Sequence, residues 1–159
     1  MLRPPGPQDV AALVRACGDV DIANFTRVPV PYADGDALDF LRGAADSWAA
    51  GTSVVFVIAG SADELLGTCG LLLGATHGEL GYLVAPWARR RGVATEAMSI
   101  LTAWAHKERG LPRVVAKIED VNLASIAAAR AAGYRQFGDG FELELKGTSR
   151  QMHYYEHCG

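Results

Sequence analysis

Between Gly78 and Ala97 the chain reads GELGYLVAPWARRRGVATEA: an apolar run of strand formers, a proline, three consecutive arginines, a glycine and a helix-forming run. Pro86 cannot continue a central strand, so the strand stops there. Gly92 then opens a helix that reaches about Arg109. The first N–H groups of a helix have no partner within it and carry the positive end of its dipole. A strand, a basic turn and a helix start in that order therefore make a place where anions bind. Gly92 removes a Cβ that would hold a ligand away, and small Ala94 keeps the turn open. Thr95 adds a hydroxyl donor, and arginines add charge-assisted hydrogen bonds. Three adjacent side chains cannot all face one ligand, so one or two of Arg89, Arg90 and Arg91 point to solvent. No GxxxxGK followed by Ser or Thr is present, and no GxGxxG with a following acid, so neither a Walker A loop nor a dinucleotide fingerprint is at hand. From these residues alone the turn is either a phosphate cradle or a solvated surface turn.

The rest of the chain frames that junction. SVVFVIAG, ending at Gly60, and ELLGTCGLLLG are two more strands, with Ser61 to Asp63 as the turn between them. Together with GELGYLVAP they predict an antiparallel meander, because only short connections separate them. A helix is expected from Pro7 to Ala16, an extended loop from Arg27 to Tyr32, and a second helix from Asp34 or Asp36 to about Ala50. After the long helix come a strand at 113–119 and a helix from Asn122 to about Ala132, closed by Gly133. Two last strands are expected near Phe141–Leu145 and Arg150–Tyr155. This order predicts an α/β fold: one mixed, mostly antiparallel twisted sheet of six or seven strands, with about four helices on both faces and one parallel crossover through the long helix. The 159 residues form a single domain, 1–159, in this reading.

Composition narrows the partners. Half the residues are apolar and the net charge is −3, which fits a globular protein and argues against nucleic acid as a partner. Cys17, Cys69 and Cys158 are odd in number and far apart, so neither a disulfide framework nor a zinc site is indicated. His77, His106, His153 and His157 contain no HExxH, and no metal is expected. The opening MLRPPGPQDV lacks the apolar core of a signal peptide, and no apolar run is long enough to span a bilayer. The expectation is a reducing, cytoplasmic compartment, no membrane and, on base rates, a homodimer.

ELGYLVAPWARRRGVATEA, followed by IEDVNLASIAAARAAGY, resembles the GNAT superfamily of acyl-CoA-dependent N-acetyltransferases. Arg89-Arg90-Arg91-Gly92-Val93-Ala94 matches that family's Q/R-x-x-G-x-G/A pyrophosphate turn. Glu-x-Gly-Tyr before it, Thr95-Glu96-Ala97 after it, and Asn122-x-x-Ser125 ending in Ala132-Gly133-Tyr134 are similar to the Rim-type branch, the ribosomal-protein N-terminal acetyltransferases. VPYADGDALDFL is similar to that branch's substrate-side loop and helix. The resemblance covers almost the whole chain in order, except that the first strand is shortened to about Met1–Pro4.

The resemblance implies acetyl-CoA as co-substrate. Its diphosphate would lie on the amides of Arg90, Arg91, Gly92, Val93, Ala94 and Thr95 beside Arg89. Its pantetheine arm would hydrogen-bond backbone at Leu83, Val84 and Ala85, and also Asn122. Amine acetylation needs a base for the attacking amine and a proton for the departing thiolate. Glu79 is the first candidate for the base: it shares a strand face with Gly81 and Leu83, opposite Leu80, Tyr82 and Val84, although a solubilising position at the strand's wet end is equally open. Glu142 and Glu144 on a late strand are rivals, with Glu144 preferred because the branch places an acid there. Asn122 and Ser125 suit a helix N-cap in their own right; the resemblance adds that Ser125 faces the sulfur. The tyrosine that often serves as general acid falls at Ala129, so Ser125 or a water takes that role. Tyr32 and Trp48 are candidates for the acceptor side, and Trp87 for a half-buried anchor.

The function expected is acetyl transfer to a primary amine, a protein N-terminus or a small amine, by direct attack in a ternary complex. Two readings from other classes stand beside it. One is a catalytically silent CoA-binding regulatory protein, supported by Ala129; the other is a domain using the arginine turn for a different phosphate ligand.

Overall fold

The computed structural model describes residues 1–159. Its strands are β1 (Leu2–Arg3), β2 (Ser53–Ala59), β3 (Leu65–Leu73), β4 (Gly78–Val84), β5 (Arg113–Glu119), β6 (Arg135–Leu145) and β7 (Thr148–Cys158). Its helices are α1 (Val10–Cys17), α2 (Val20–Phe25), α3 (Asp34–Ala49), α4 (Val93–Arg109) and α5 (Leu123–Ala131), with short 3-10 turns at Pro7–Asp9 and Pro86–Ala88. All strands join one sheet in the order β1-β2-β3-β4-β5-β7-β6. Every neighbouring pair is antiparallel except β4 and β5, which the α4 crossover makes parallel.

Strand alternation divides the side chains into two layers. Leu80 of β4, Val114, Ala116 and Ile118 of β5, and Tyr155 of β7 pack with Val93, Ala97, Met98, Leu101 and Ala105 of α4 and Ala129 of α5. On the opposite face Val57, Ala59, Leu65 and Ala85 pack with Leu13, Ala16 and Cys17 of α1, Ile22 of α2 and Ala37 of α3. Burial pushes the Cys17 thiol up to about 11 and the Cys69 thiol up to about 12, so both behave as small apolar groups.

Three elements exceed what the sequence suggests. The short α2 is capped by Asp19, whose Oδ1 accepts the N–H groups of Asp21 and Ile22, both at 3.1 Å. The last two strands are longer than expected. The Gly138–Gly140 segment, which looks like a break, lies in a bulge between Phe137 and Phe141 that lets β6 continue. Lys146 and Gly147, both at positive φ, close the β6–β7 hairpin in two residues. At that tip Lys146 Nζ donates to Ala23 O of α2 at 2.6 Å, so the hairpin reaches across to the α1–α3 layer.

Candidate functional site

β4 has two unlike edges. Ala85 N–H donates to Leu66 O at 2.9 Å, which fixes the antiparallel alternation: Gly81 and Leu83 turn their backbone groups to β3, and Tyr82 and Val84 turn theirs to β5. β5 meets that edge only at Gly78↔Val114 and Glu79↔Val115. Beyond this point the strands diverge, and the amides and carbonyls of Tyr82 and Val84 face an opening. Of the backbone trio Leu83, Val84 and Ala85, only Val84 is thus directed into the opening. Ala85 N–H is already engaged, and Tyr82, not singled out as a backbone donor from the sequence, joins Val84.

At the end of β4 the turn to α4 is laid out for an anion. Arg90 (φ 60°) and Gly92 (φ 75°) are both left-handed. None of the backbone N–H groups of Arg90, Arg91, Gly92, Val93, Ala94 and Thr95 is in a protein hydrogen bond; the first helical one is Glu96 N–H to Gly92 O at 3.0 Å. A run of free amides beside left-handed residues is a nest, an arrangement able to accept anionic oxygens. A Cβ on Gly92 would meet no protein atom, so the space above the turn is open. The side chains of Arg90 and Arg91 are exposed and make no ion pair. Arg89 turns away from the nest. Its guanidinium pairs with Asp19, and with Asp21 Oδ2 at 3.1 Å, at the start of α2. Burial pushes the Asp19 carboxyl up, but the Arg89 hydrogen bond and the two helix amides outweigh it and hold it below the usual carboxylate range.

The titratable candidates fall on different faces. Glu79 stands on the α1–α3 face with Gly81 and Leu83, at the closed end of the opening, and is half-buried. Lys117 Nζ of β5 lies 2.7 Å from Glu79 Oε2, an ion pair across the β4–β5 seam. Glu144 pairs in register with Ser149, on the face that β7 shares with Tyr155. It is therefore exposed on the opposite side of the sheet from Glu79, as is Glu142. Asn122 caps α5: its Oδ1 accepts Ser125 N–H at 3.1 Å. Ser125 Oγ is 2.8 Å from Tyr82 Oη, a partnership that the reading of Ser125 alone did not reveal. Strand alternation places Tyr82 and the Asn122 helix start places Ser125, but neither gives a distance between them. Ala129 is fully buried in the α4–α5 layer.

On the α1–α3 face, Tyr32 is half-buried, and burial first, then the neighbouring Cys17 and Asp36, raises its phenol to about 12. Trp48 does not reach the opening. It packs edge-on against Phe56 (5.3 Å) of β2, at the far side of the sheet. Trp87 is an anchor: its Nε1 donates to Leu65 O at 3.0 Å, and the Arg15 guanidinium covers the ring at 4.4 Å. Beyond the opening, Phe141 stacks on Tyr154 at 4.4 Å, an aromatic step on the same face as Glu79.

Residues 1–135 match the sequence model of the Acetyltransferase (GNAT) domain, and the chain belongs to that family of acetyltransferases. No curated protein sequence matches it. Solved structures share the fold over nearly the whole chain. RimJ of Mycobacterium smegmatis, in complex with CoA-disulfide, superposes with a TM-score of 0.87 at 22% identity, covering 99% of this chain and 80% of its own. Spermidine N-acetyltransferase of Vibrio cholerae, bound to CoA and spermine, gives 0.82 at 15% identity over 99% and 94%. Ribosomal-protein-S5-alanine acetyltransferase of Vibrio fischeri gives 0.84 at 15% over 99% and 91%. No helix is long and apolar enough to cross a membrane.

Proposed function

We propose that this protein transfers the acetyl group of acetyl-CoA to a primary amine by direct attack in a ternary complex. The observation that carries the reading is the row of free amides from Arg90 to Thr95, opening α4 beside the unpaired edge of β4. The diphosphate would take the nest, and the pantetheine arm would extend β4 into the gap as a strand would, bonding Val84 and Tyr82 with Asn122 near its end. An amide of that edge polarises the thioester carbonyl. The amine enters from the α1–α3 face, where Glu79 takes its proton directly or through water. The C–N bond forms, the C–S bond breaks, and Ser125 on the other side of the sheet supplies the proton to the thiolate. Glu144, exposed on the face away from Glu79, suits the base role less well. Tyr32 lies in the layer beside the acceptor path, and Trp48 does not.

The acceptor class we assign is a protein N-terminus or a small amine in a cytoplasmic setting. The structural relatives are named for such acceptors, and Glu79 offers a carboxylate to an incoming ammonium once Lys117 yields. Purified protein is to be titrated with acetyl-CoA and assayed for CoA release with pooled peptides and amines. Binding with acceptor-dependent release supports the reading. Tight binding with no release from any acceptor selects a silent CoA-binding protein instead. Binding of ATP but not CoA selects a different phosphate ligand.

A further inference from the structure

Ala129, four residues after Ser125 on the same face of α5, is buried and has no proton to give. The proton for the leaving group must therefore be organised elsewhere, and a second hydroxyl lies in contact with Ser125. Tyr82 Oη and Ser125 Oγ are 2.8 Å apart, and neither makes another side-chain hydrogen bond. Their positions are set independently: Tyr82 by β4, whose backbone it turns to the opening, and Ser125 by the Asn122 cap at the start of α5. A phenol, with an ordinary pKa of about 10, is a much stronger acid than an alkanol and is the better donor of the two. Burial pushes the Tyr82 phenol up, against a smaller opposite effect of the Ser125 bond, so it stays protonated at neutral pH. When the phenol donates to Ser125 Oγ, the serine's own O–H is free to turn elsewhere, and Ser125 is half-exposed.

We propose that Tyr82 is the positioning residue for the leaving-group proton, donating to Ser125 Oγ and aiming the Ser125 O–H at the sulfur. The inference rests on the acetyl-transfer reading above. As the C–S bond breaks, the thiolate takes the Ser125 proton, Ser125 takes the Tyr82 proton, and solvent reprotonates the phenolate. The proton that Glu79 removed from the amine goes to solvent, so the balance closes with no other reactant.

The test compares Tyr82→Phe, Ser125→Ala and the double variant in kcat and in CoA affinity by titration calorimetry. Each single change is expected to lower kcat at least about tenfold, with CoA affinity within about twofold of wild type. The double variant should be no slower than Ser125→Ala, because the two hydroxyls act as one unit. Wild-type kcat in Tyr82→Phe, or losses that multiply in the double variant, overturn the proposal. A second probe keeps the shape of the ring: difluorotyrosine at position 82 lowers the phenol's pKa. The alkaline limb of the kcat profile should then move to lower pH, and an unchanged profile overturns the proposal. If wild-type protein neither binds CoA nor releases it, the transfer reading itself falls; if it turns over and only these variants are silent in effect, only Tyr82 is misassigned.

Discussion

The two edges of β4 show opposite solutions to one problem. Towards β3 the strand is paired along its full length, from Gly67↔Val84 to Leu73↔Gly78. Towards β5 it is paired at two residues and then parts company. The connections explain the difference. β3 returns as β4 through a tight turn in which Gly74 N–H donates to His77 O at 3.1 Å, so the register is dictated locally. β5 arrives only after the α4 crossover, and helix packing, not a turn, sets where it lies. Sheet twist then widens any gap left between them. The sealed seam carries the core, and the open one leaves backbone groups and polar side chains within reach of a ligand.

The sharpest way to break this contrast is to perturb each seam and read stability and turnover separately. Leu71 in β3 is 1% exposed within the α4-side core. Leu71→Ala should cost about 3 kcal/mol of unfolding free energy, measured by urea denaturation; a loss under about 1 kcal/mol would mean that this seam is not the stabilising one. At the open seam Glu79→Gln should lower kcat about a hundredfold. Its ion pair with Lys117 leaves both side chains 34% exposed, so stability should fall by no more than about 1 kcal/mol. Unchanged turnover would remove Glu79 as the base.

Local features of the molecule were legible in the sequence, and the relations between distant elements were not. β2 and β5 announce themselves by apolar, β-branched runs, β4 by an apolar run stopped at Pro86, and α4 by Gly92 at one end and Gly110 at the other. Alternation along β4 also placed Glu79 opposite Tyr82 correctly, because a strand's period is a local property. Distances between elements are not local. Nothing in the sequence says that Lys117 reaches Glu79, that Tyr82 meets Ser125 across forty-three positions, or that Trp48 turns to Phe56 of β2. The bulge in β6 was hidden for a related reason: Gly138 to Gly140 reads as a turn until the neighbouring strand β7 holds both sides of it in register.

The turn and the helix after it allow a third, smaller perturbation. Gly92 has φ 75°, where a β-branched residue is strained by about 1–2 kcal/mol, and the added side chain would enter the open space beside the turn. Gly92→Val should weaken CoA binding at least about tenfold in calorimetry, by that strain and by blocking the approach of phosphate. Affinity within twofold of wild type would show that the nest is not where the diphosphate lies.

The smallest effect is expected at the arginine that the sequence pattern places first. Arg89 is paired with Asp19 and Asp21 at the start of α2, not aimed at the nest, so it links the turn before α4 to the α1–α3 layer. Arg89→Ala should cost about 0.2–1 kcal/mol of stability and change CoA affinity by less than about threefold. The pH dependence separates this tether from a phosphate ligand. The folded-state pKa of Asp19 is held below its unfolded value, so the pair's contribution is present above the ordinary carboxylate range near 4 and is lost as pH falls through the folded value. The stability difference between wild type and Arg89→Ala should therefore shrink on acidification, and Asp19→Asn should reproduce most of it at neutral pH. A tenfold loss of CoA affinity in Arg89→Ala that Asp19→Asn does not share would assign the guanidinium to the diphosphate and leave α2 without its tether in the bound state.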